Sequence, residues 1–145
     1  MEWEKFKESP KEYPENIVED SISGFPKSTD GLAQLAIRPK NDLSKLASKL
    51  TSKFQFDLDL YSKYLNDYIF TVLEMGYDIE IFPVKILVEP TILAEINKTR
   101  ELKYYTHITA KKEEDLQKAL ELVFKTARFA EIVAGLMKVA RKRKR

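Results

Sequence analysis

Apolar residues in the middle of the chain recur at intervals of three and four, which is the spacing of one face of an α-helix. Behind Asp42, a good N-cap residue, this spacing predicts a first helix over about 42–54. Asp57 precedes a second run that ends at Gly76, a residue typical of helix C-termini, and this run predicts a second helix over about 58–75. The apolar positions behind the two predictions are Leu43, Leu46, Leu50 and Phe54, then Leu58, Tyr61, Leu65, Tyr68, Ile69, Val72 and Leu73.

The second half of the chain continues the helical pattern after one ambiguous segment. Residues 79–88 alternate and are β-branched like a strand, but Pro83 argues against a central strand, so we favour a short helical or extended segment there. Pro90 suits the first turn of a third helix. The buried face of that helix would comprise Ile92, Leu93, Ile96, Leu102 and Tyr105. A fourth helix is predicted over about 110–140, with acids in its early turns and bases at its far end.

The first 40 residues differ from the rest, because they hold four of the six prolines and two of the four glycines. Proline fixes φ and removes an amide donor, so we expect an irregular arm over 1–40 with short helical turns near 15–22 and 30–37. Its large apolar residues indicate that the arm packs on the remainder of the chain. They are Trp3, Phe6, Tyr13, Ile17, Val18, Ile22 and Phe25.

Together these patterns predict an all-α fold in a single domain over 1–145. We expect an antiparallel bundle of about four helices within 41–137, preceded by the irregular arm. The bundle would end in a long basic C-terminal helix and a tail over 138–145.

The formal net charge of +2 conceals a segregation along the chain. Residues 1–105 carry 14 basic and 18 acidic side chains, whereas residues 106–145 carry 11 basic and 5 acidic ones. An acidic body is therefore joined to a basic end. This arrangement suits a protein partner that presents charges of both signs, such as a machine that handles nucleic acid.

The strongest local signal is a run of cations at the C-terminus. The predicted partner-binding residues are Lys138, Arg141, Lys142, Arg143, Lys144 and Arg145. A helix dipole is satisfied by one or two cations near its C-terminus, so six indicate contact with phosphates or with an acidic protein surface. The competing interpretation is a solvated helix end.

Catalytic chemistry finds little support in the sequence. Cysteine is absent, which excludes disulfides and thiolate sites, and the single histidine, His107, is either a general base or, as we favour, a surface or capping residue. No pair of acids is selected by the pattern, and Asp57 is better explained as a helix cap. We therefore predict a protein that is not an enzyme and that uses neither a metal nor another cofactor.

Three tyrosines have two interpretations. Tyr61, Tyr64 and Tyr68 fall at helical spacing on the predicted second helix. Such a stripe can stack bases or anchor an interface, and it also serves as the edge of a core. At this spacing we favour the core.

Apolar stretches such as 68–73 and 129–137 are shorter than the roughly 18 residues that span a bilayer, and the charged start is unlike a secretory signal. We expect a soluble intracellular protein without membrane contact. The abundance of Lys and Glu beside few Gln and Asn is typical of thermophile proteins.

The length, the lack of cysteine and the Arg-Lys-Arg-Lys-Arg end over 141–145 give the chain a family resemblance. It resembles a helical-bundle family of archaeal bicaudaviruses, which includes a virion protein and an inhibitor of RNA polymerase. The resemblance implies a viral protein in the host cytoplasm that binds the DNA-binding channel of the host RNA polymerase. It would block DNA loading and clamp movement and so repress transcription, with 138–145 contacting the polymerase. The alternatives are a nucleic-acid-binding protein with weak affinity and a structural virion component.

Overall fold

The computed structural model describes residues 1–101, 103–104 and 106–144. It contains a five-stranded antiparallel sheet in which the strands are adjacent in chain order. The strands are β1 (Gln34–Pro39), β2 (Phe54–Ser62), β3 (Leu65–Tyr77), β4 (Val84–Val88) and β5 (Ile108–Ala110). The helices are α1 (Pro14–Ile22), α2 (Phe25–Ser28), α3 (Asp42–Ala47), α4 (Pro90–Lys98), α5 (Glu113–Phe124) and α6 (Ala127–Arg143). The fold is α+β, so the predicted all-α helical bundle is wrong.

Strand β2 shows why the helical prediction fails. Its apolar and polar residues alternate with the period of two that a strand requires. Phe56, Leu58 and Leu60 are at most 2% exposed and lie in the core, whereas Asp57 and Asp59 lie between them on the opposite face. Leu58 also begins a three-to-four spacing that continues through Tyr61 and Leu65 into the next strand, but the pairing of β2 with β3 makes this segment a hairpin.

The predicted second helix, 58–75, is the β2–β3 hairpin. Gly76 does not end a helix but lies inside β3. A Cβ on Gly76 would come within 2.6 Å of Ser52 Oγ, so glycine is required there by a close approach of the chain.

The predicted first helix, 42–54, is present only as the short α3. Its N-cap is Asn41 rather than Asp42, and Asn41 Oδ1 accepts a hydrogen bond from the amide of Ser44 at 2.8 Å. The segment after α3 leaves the helix at Ser48 and enters β2.

In the ambiguous segment 79–88, only Val84–Val88 is a strand, β4; a turn and the cis peptide bond between Phe82 and Pro83 precede it. The third helix is present as α4, with Pro90 in its first turn and Ile92 and Ile96 buried. Two residues assigned to its buried face, Leu102 and Tyr105, lie outside the described residues.

The predicted fourth helix, 110–140, is two helices. Strand β5 precedes α5, and the chain turns at Lys125 and Thr126 before α6 begins. In the arm, the helical turn expected near 15–22 is α1, but the one expected near 30–37 is wrong because β1 lies there.

One face of the sheet packs against α1, α4, α5 and α6, and we call it the helix-covered face. Its core comprises alternate strand residues and the apolar stripes of the helices. Central members are Phe56, Leu58, Leu60, Leu73, Met75, Ile86, Ile17, Val18, Ile92, Leu116, Leu120, Phe129 and Leu136. We call the opposite side the polar face; its residues include Arg38, Lys40, Gln55, Asp57, Asp59, Tyr61, Thr71 and Glu74.

Candidate functional site

Helix α6 is fixed to the helix-covered face by a stripe of buried side chains: Phe129, Val133, Leu136 and Ala140. At its start, Thr126 Oγ1 accepts a hydrogen bond from the amide of Phe129 at 3.1 Å. The Glu95 carboxylate of α4 accepts from the amides of Ala127 and Arg128, both at 2.7 Å. These acceptors bind the free amides at the positive, N-terminal end of the helix dipole. The basic residues lie at its negative, C-terminal end.

The predicted partner-binding residues lie at that negative end. Those that the structure describes are Lys138, Arg141, Lys142, Arg143 and Lys144, and all five are exposed. Arg145 lies outside the described residues. Within the described part of the chain none of these five cations forms an ion pair, and the preceding acid, Glu131, is paired with Arg128 at 3.3 Å. Their charge is therefore available to an external anion.

The turn between β2 and β3 lies against this helix end. Ser62 pairs with Leu65, so Lys63 and Tyr64 form the tip of the hairpin. Ser62 is buried, and its Oγ accepts a hydrogen bond from the amide of Tyr64 at 3.2 Å. This bond stabilises the turn that carries Tyr64.

Two ammonium groups share the Tyr64 ring. Lys144 Nζ lies 5.8 Å from the ring centroid and Lys63 Nζ lies 5.3 Å from it. Both distances are within the range of cation–π attraction. We call Lys63, Tyr64 and the five described cations of the C-terminal run the basic–aromatic end.

A groove of about 370 Å³ opens beside the hairpin tip on the polar face. Tyr61, Tyr68 and Ile69 supply its apolar and aromatic lining, and Arg38 and Lys63 supply cations. Tyr68 is 43% exposed and Ile69 is 57% exposed. Lys63 belongs to both the groove and the basic–aromatic end, so the two surfaces are continuous.

Next to the groove, five charged side chains of the polar face form a connected network. Arg38 Nε donates to Asp59 Oδ2 at 2.6 Å, and its Nη2 donates to Asp57 Oδ2 at 2.8 Å. Lys40 Nζ pairs with Glu74 Oε1 and lies 3.5 Å from Asp57 Oδ1, an ion-pair distance without a hydrogen bond. Every charge in the network thus has an opposite partner.

Burial raises the pKa of Asp57, although the nearby charges of Lys40 and Arg38 oppose the shift. The hydrogen bond to Asp59 raises the pKa of Arg38. Asp57 was expected to cap a helix, and that assignment is wrong because Asp57 lies within β2. A perturbed carboxyl can mark an active site, but here the structure explains it by pairing inside the sheet.

The other chemical candidates from the sequence are not brought together. His107 Nδ1 is 3.1 Å from Thr106 Oγ1, and the ring lines a separate cavity with Tyr104 and Asn97. Among the described residues, no group of three or more His, Asp or Glu side chains is placed so that it could hold a metal ion.

Sequence reasoning found the cations of this site but placed the tyrosines wrongly. Tyr61, Tyr64 and Tyr68 were expected on one helix, and they lie instead on β2, at the hairpin tip and on β3. The alternation of β2 and the pair Lys63–Tyr64 between two apolar runs were the available signals for a hairpin.

Comparisons with protein-family models, with curated proteins and with solved structures find no match for this chain. Among the residues that the structure describes, no helix combines the length and apolar character needed to cross a membrane. Because the comparisons find no match, the proposed function below is argued from the geometry of the site.

Proposed function

We propose that this protein binds nucleic acid through the basic–aromatic end and that it acts without catalysis. The proposal rests on the observation that the ammonium groups of Lys144 and Lys63 both lie over the ring of Tyr64. It joins the end of α6 to the hairpin, so that cations from two distant parts of the chain form one surface.

Phosphates are the anions that this surface fits best. Lys and Arg that neutralise phosphates release condensed counterions, and unpaired cations gain most because they give up no ion pair within the protein. The Tyr64 ring holds Lys63 and Lys144 at this surface by cation–π attraction, so their charges are presented together. An acidic protein surface would use the same cations, and the transcription assay described below separates the two kinds of partner.

The test measures binding of labelled single-stranded and duplex DNA by fluorescence anisotropy at salt concentrations from about 50 to 200 mM. The wild-type chain is compared with a variant in which Lys138, Arg141, Lys142, Arg143 and Lys144 are all replaced by Gln. A matched control replaces five exposed lysines elsewhere with Gln: Lys49, Lys53, Lys98, Lys111 and Lys118.

With five phosphate contacts, we expect duplex affinity to fall on the order of 10²–10³-fold over that salt range. The tail variant should lose most of the binding and most of the salt dependence, while the control keeps both. Absence of binding by the wild-type chain at the lowest salt would overturn the proposal. An equal loss in the control variant would show that net charge, not this surface, is responsible.

The host RNA polymerase remains a proposed partner that rests on the charge segregation and the resemblance. The helical bundle that the resemblance implied is wrong, which leaves the charge segregation and the basic C-terminal run as support for this partner. A transcription assay with archaeal RNA polymerase, using the same tail and control variants, tests it. Inhibition that survives without DNA binding would favour a protein partner over nucleic acid. Location in the host cytoplasm and association with a virion stay predictions.

A further inference from the structure

We infer that the groove beside the hairpin tip holds an unstacked base, so that the protein prefers single-stranded over duplex nucleic acid. This inference rests on the proposed function, because the basic–aromatic end would bind the phosphates that flank the base. Lys63 supplies the connection, since it lines the groove and also lies over Tyr64.

The lining of the groove has the chemistry of a base site. Tyr61 and Tyr68 supply aromatic rings, and Ile69 supplies exposed apolar surface. Bases of single strands are recognised by stacking on aromatic rings or on guanidinium planes. In a duplex the bases are already stacked and paired, so they cannot enter such a groove.

The charge of the groove suits a base next to a phosphate. The carboxylate of Asp59 lines it, but Oδ2 accepts from Arg38 and Oδ1 accepts from the Thr71 hydroxyl at 3.0 Å. Arg38 is held by these carboxylates, yet its side chain is 48% exposed. The groove therefore presents an immobilised guanidinium and no unpaired carboxylate to an entering base.

The volume is also appropriate. At about 370 Å³ the groove lies in the range of small-molecule sites, and it is open along one side. A single base can therefore enter from a strand whose backbone stays on the surface.

The experiment compares a short oligomer of deoxythymidine with an abasic deoxyribose-phosphate oligomer of the same length. Both carry the same number of phosphates, so a difference in affinity measures the bases alone. We expect the wild-type chain to bind the deoxythymidine oligomer about 10-fold more tightly, given the usual effect of one stacked base. Tyr68→Leu should reduce this difference several-fold because one of the two rings of the groove is lost, and Tyr68→Phe should retain it because the ring remains.

Tyr13→Leu is the control, since Tyr13 is an exposed tyrosine that does not line the groove. Thermal unfolding of each variant checks that the fold is intact. Equal binding of both oligomers by the wild-type chain would overturn the base site and leave the proposed function standing. Failure of both oligomers to bind would overturn the two together. A base preference that Tyr68→Leu leaves unchanged would also overturn the assignment to this groove.

Discussion

The two faces of the sheet are built from the same strands and serve different purposes. On β2, Leu58 and Leu60 face the helices and are fully buried, while Asp57 and Asp59 face the other side within an ion network. The helix-covered face gains free energy by removing apolar surface from water. On the polar face the buried charges pair with one another. The groove lies beside this network, at the edge of the polar face near the hairpin. Alternation along one strand thus separates the apolar core from the charged and aromatic side chains next to the candidate groove.

The largest effect is expected at the centre of the helix-covered face. Leu58 is 0% exposed, so Leu58→Ala should lower the free energy of unfolding by about 3 kcal/mol through lost burial and a residual cavity. Urea unfolding followed by circular dichroism measures the loss. Leu46→Ala is the control, because Leu46 is 84% exposed and its replacement should change stability by less than about 0.5 kcal/mol. Equal effects at the two positions would contradict the assigned core.

A smaller loss is expected when the network on the polar face is broken. Lys40→Met leaves Asp57 and Glu74 without the cation between them, and we expect a loss of about 2 kcal/mol at pH 7. The figure is below that of a fully buried pair because the side chain of Glu74 is 27% exposed and Arg38 still pairs with Asp57.

The pH dependence of that variant distinguishes a charge effect from a packing effect. Burial raises the pKa of Asp57 in the folded state, and removing Lys40 raises it further because the Lys40 charge opposes the shift. The folded state then binds the proton more strongly than the unfolded state, so stability falls as pH rises from the unfolded value near 4 through the folded pKa. Urea unfolding of Lys40→Met should therefore show a smaller loss at pH 5 than at pH 8. Equal losses at both pH values would indicate lost packing alone.

A third change addresses the polar contact at the edge of the helix-covered face. The Tyr77 hydroxyl donates to Glu15 Oε2 at 3.0 Å and ties β3 to α1. Tyr77→Phe should cost about 1 kcal/mol at neutral pH. Tyr68→Phe is the control, since the Tyr68 hydroxyl forms no hydrogen bond within the described residues and little change is expected there.

The Tyr77 hydroxyl also predicts how the stability of the fold changes at alkaline pH. Burial, together with Glu15, raises the pKa of Tyr77 far above its ordinary value near 10. The unfolded chain loses this proton at a lower pH than the folded chain, so stability falls as pH rises above about 10. Tyr77→Phe should weaken that fall, which thermal unfolding between pH 8 and pH 11 measures. An unchanged alkaline slope would show that Tyr77 does not contribute to it.

Some of the fold was accessible from sequence because local signals were unambiguous. Pro90 ahead of Ile92 and Ile96 predicted α4, and a helical turn over 15–22 predicted α1. The sheet was missed because Leu58, Tyr61 and Leu65 satisfy a helical spacing, while Phe56, Leu58 and Leu60 alternate with polar residues as a strand does. Only pairing between distant strands decides between the two periods, and that pairing is a property of the whole chain.

The candidate site was also predictable from the sequence only in part. The C-terminal cations were visible because charge in a run needs no fold to be recognised. Their contact with Tyr64 was not visible, since about 80 residues separate Lys144 from Tyr64. The ion pair of Lys40 with Glu74 could not be predicted from the sequence for the same reason.

The smallest change in stability is expected at the margin of the polar face, where the candidate function would be most sensitive. Ile69 is 57% exposed and lines the groove, so Ile69→Glu should alter the free energy of unfolding by less than about 0.5 kcal/mol. The new carboxylate would repel the phosphates beside the groove and lower the affinity for the deoxythymidine oligomer about 10-fold. Ile79→Glu is the control, because Ile79 is 80% exposed and does not line the groove. Equal losses of affinity in the two variants would show that the groove is not distinguished from other exposed apolar surface. A loss confined to Ile69→Glu would place binding at this margin of the polar face, where a substitution changes affinity with little effect on the free energy of unfolding.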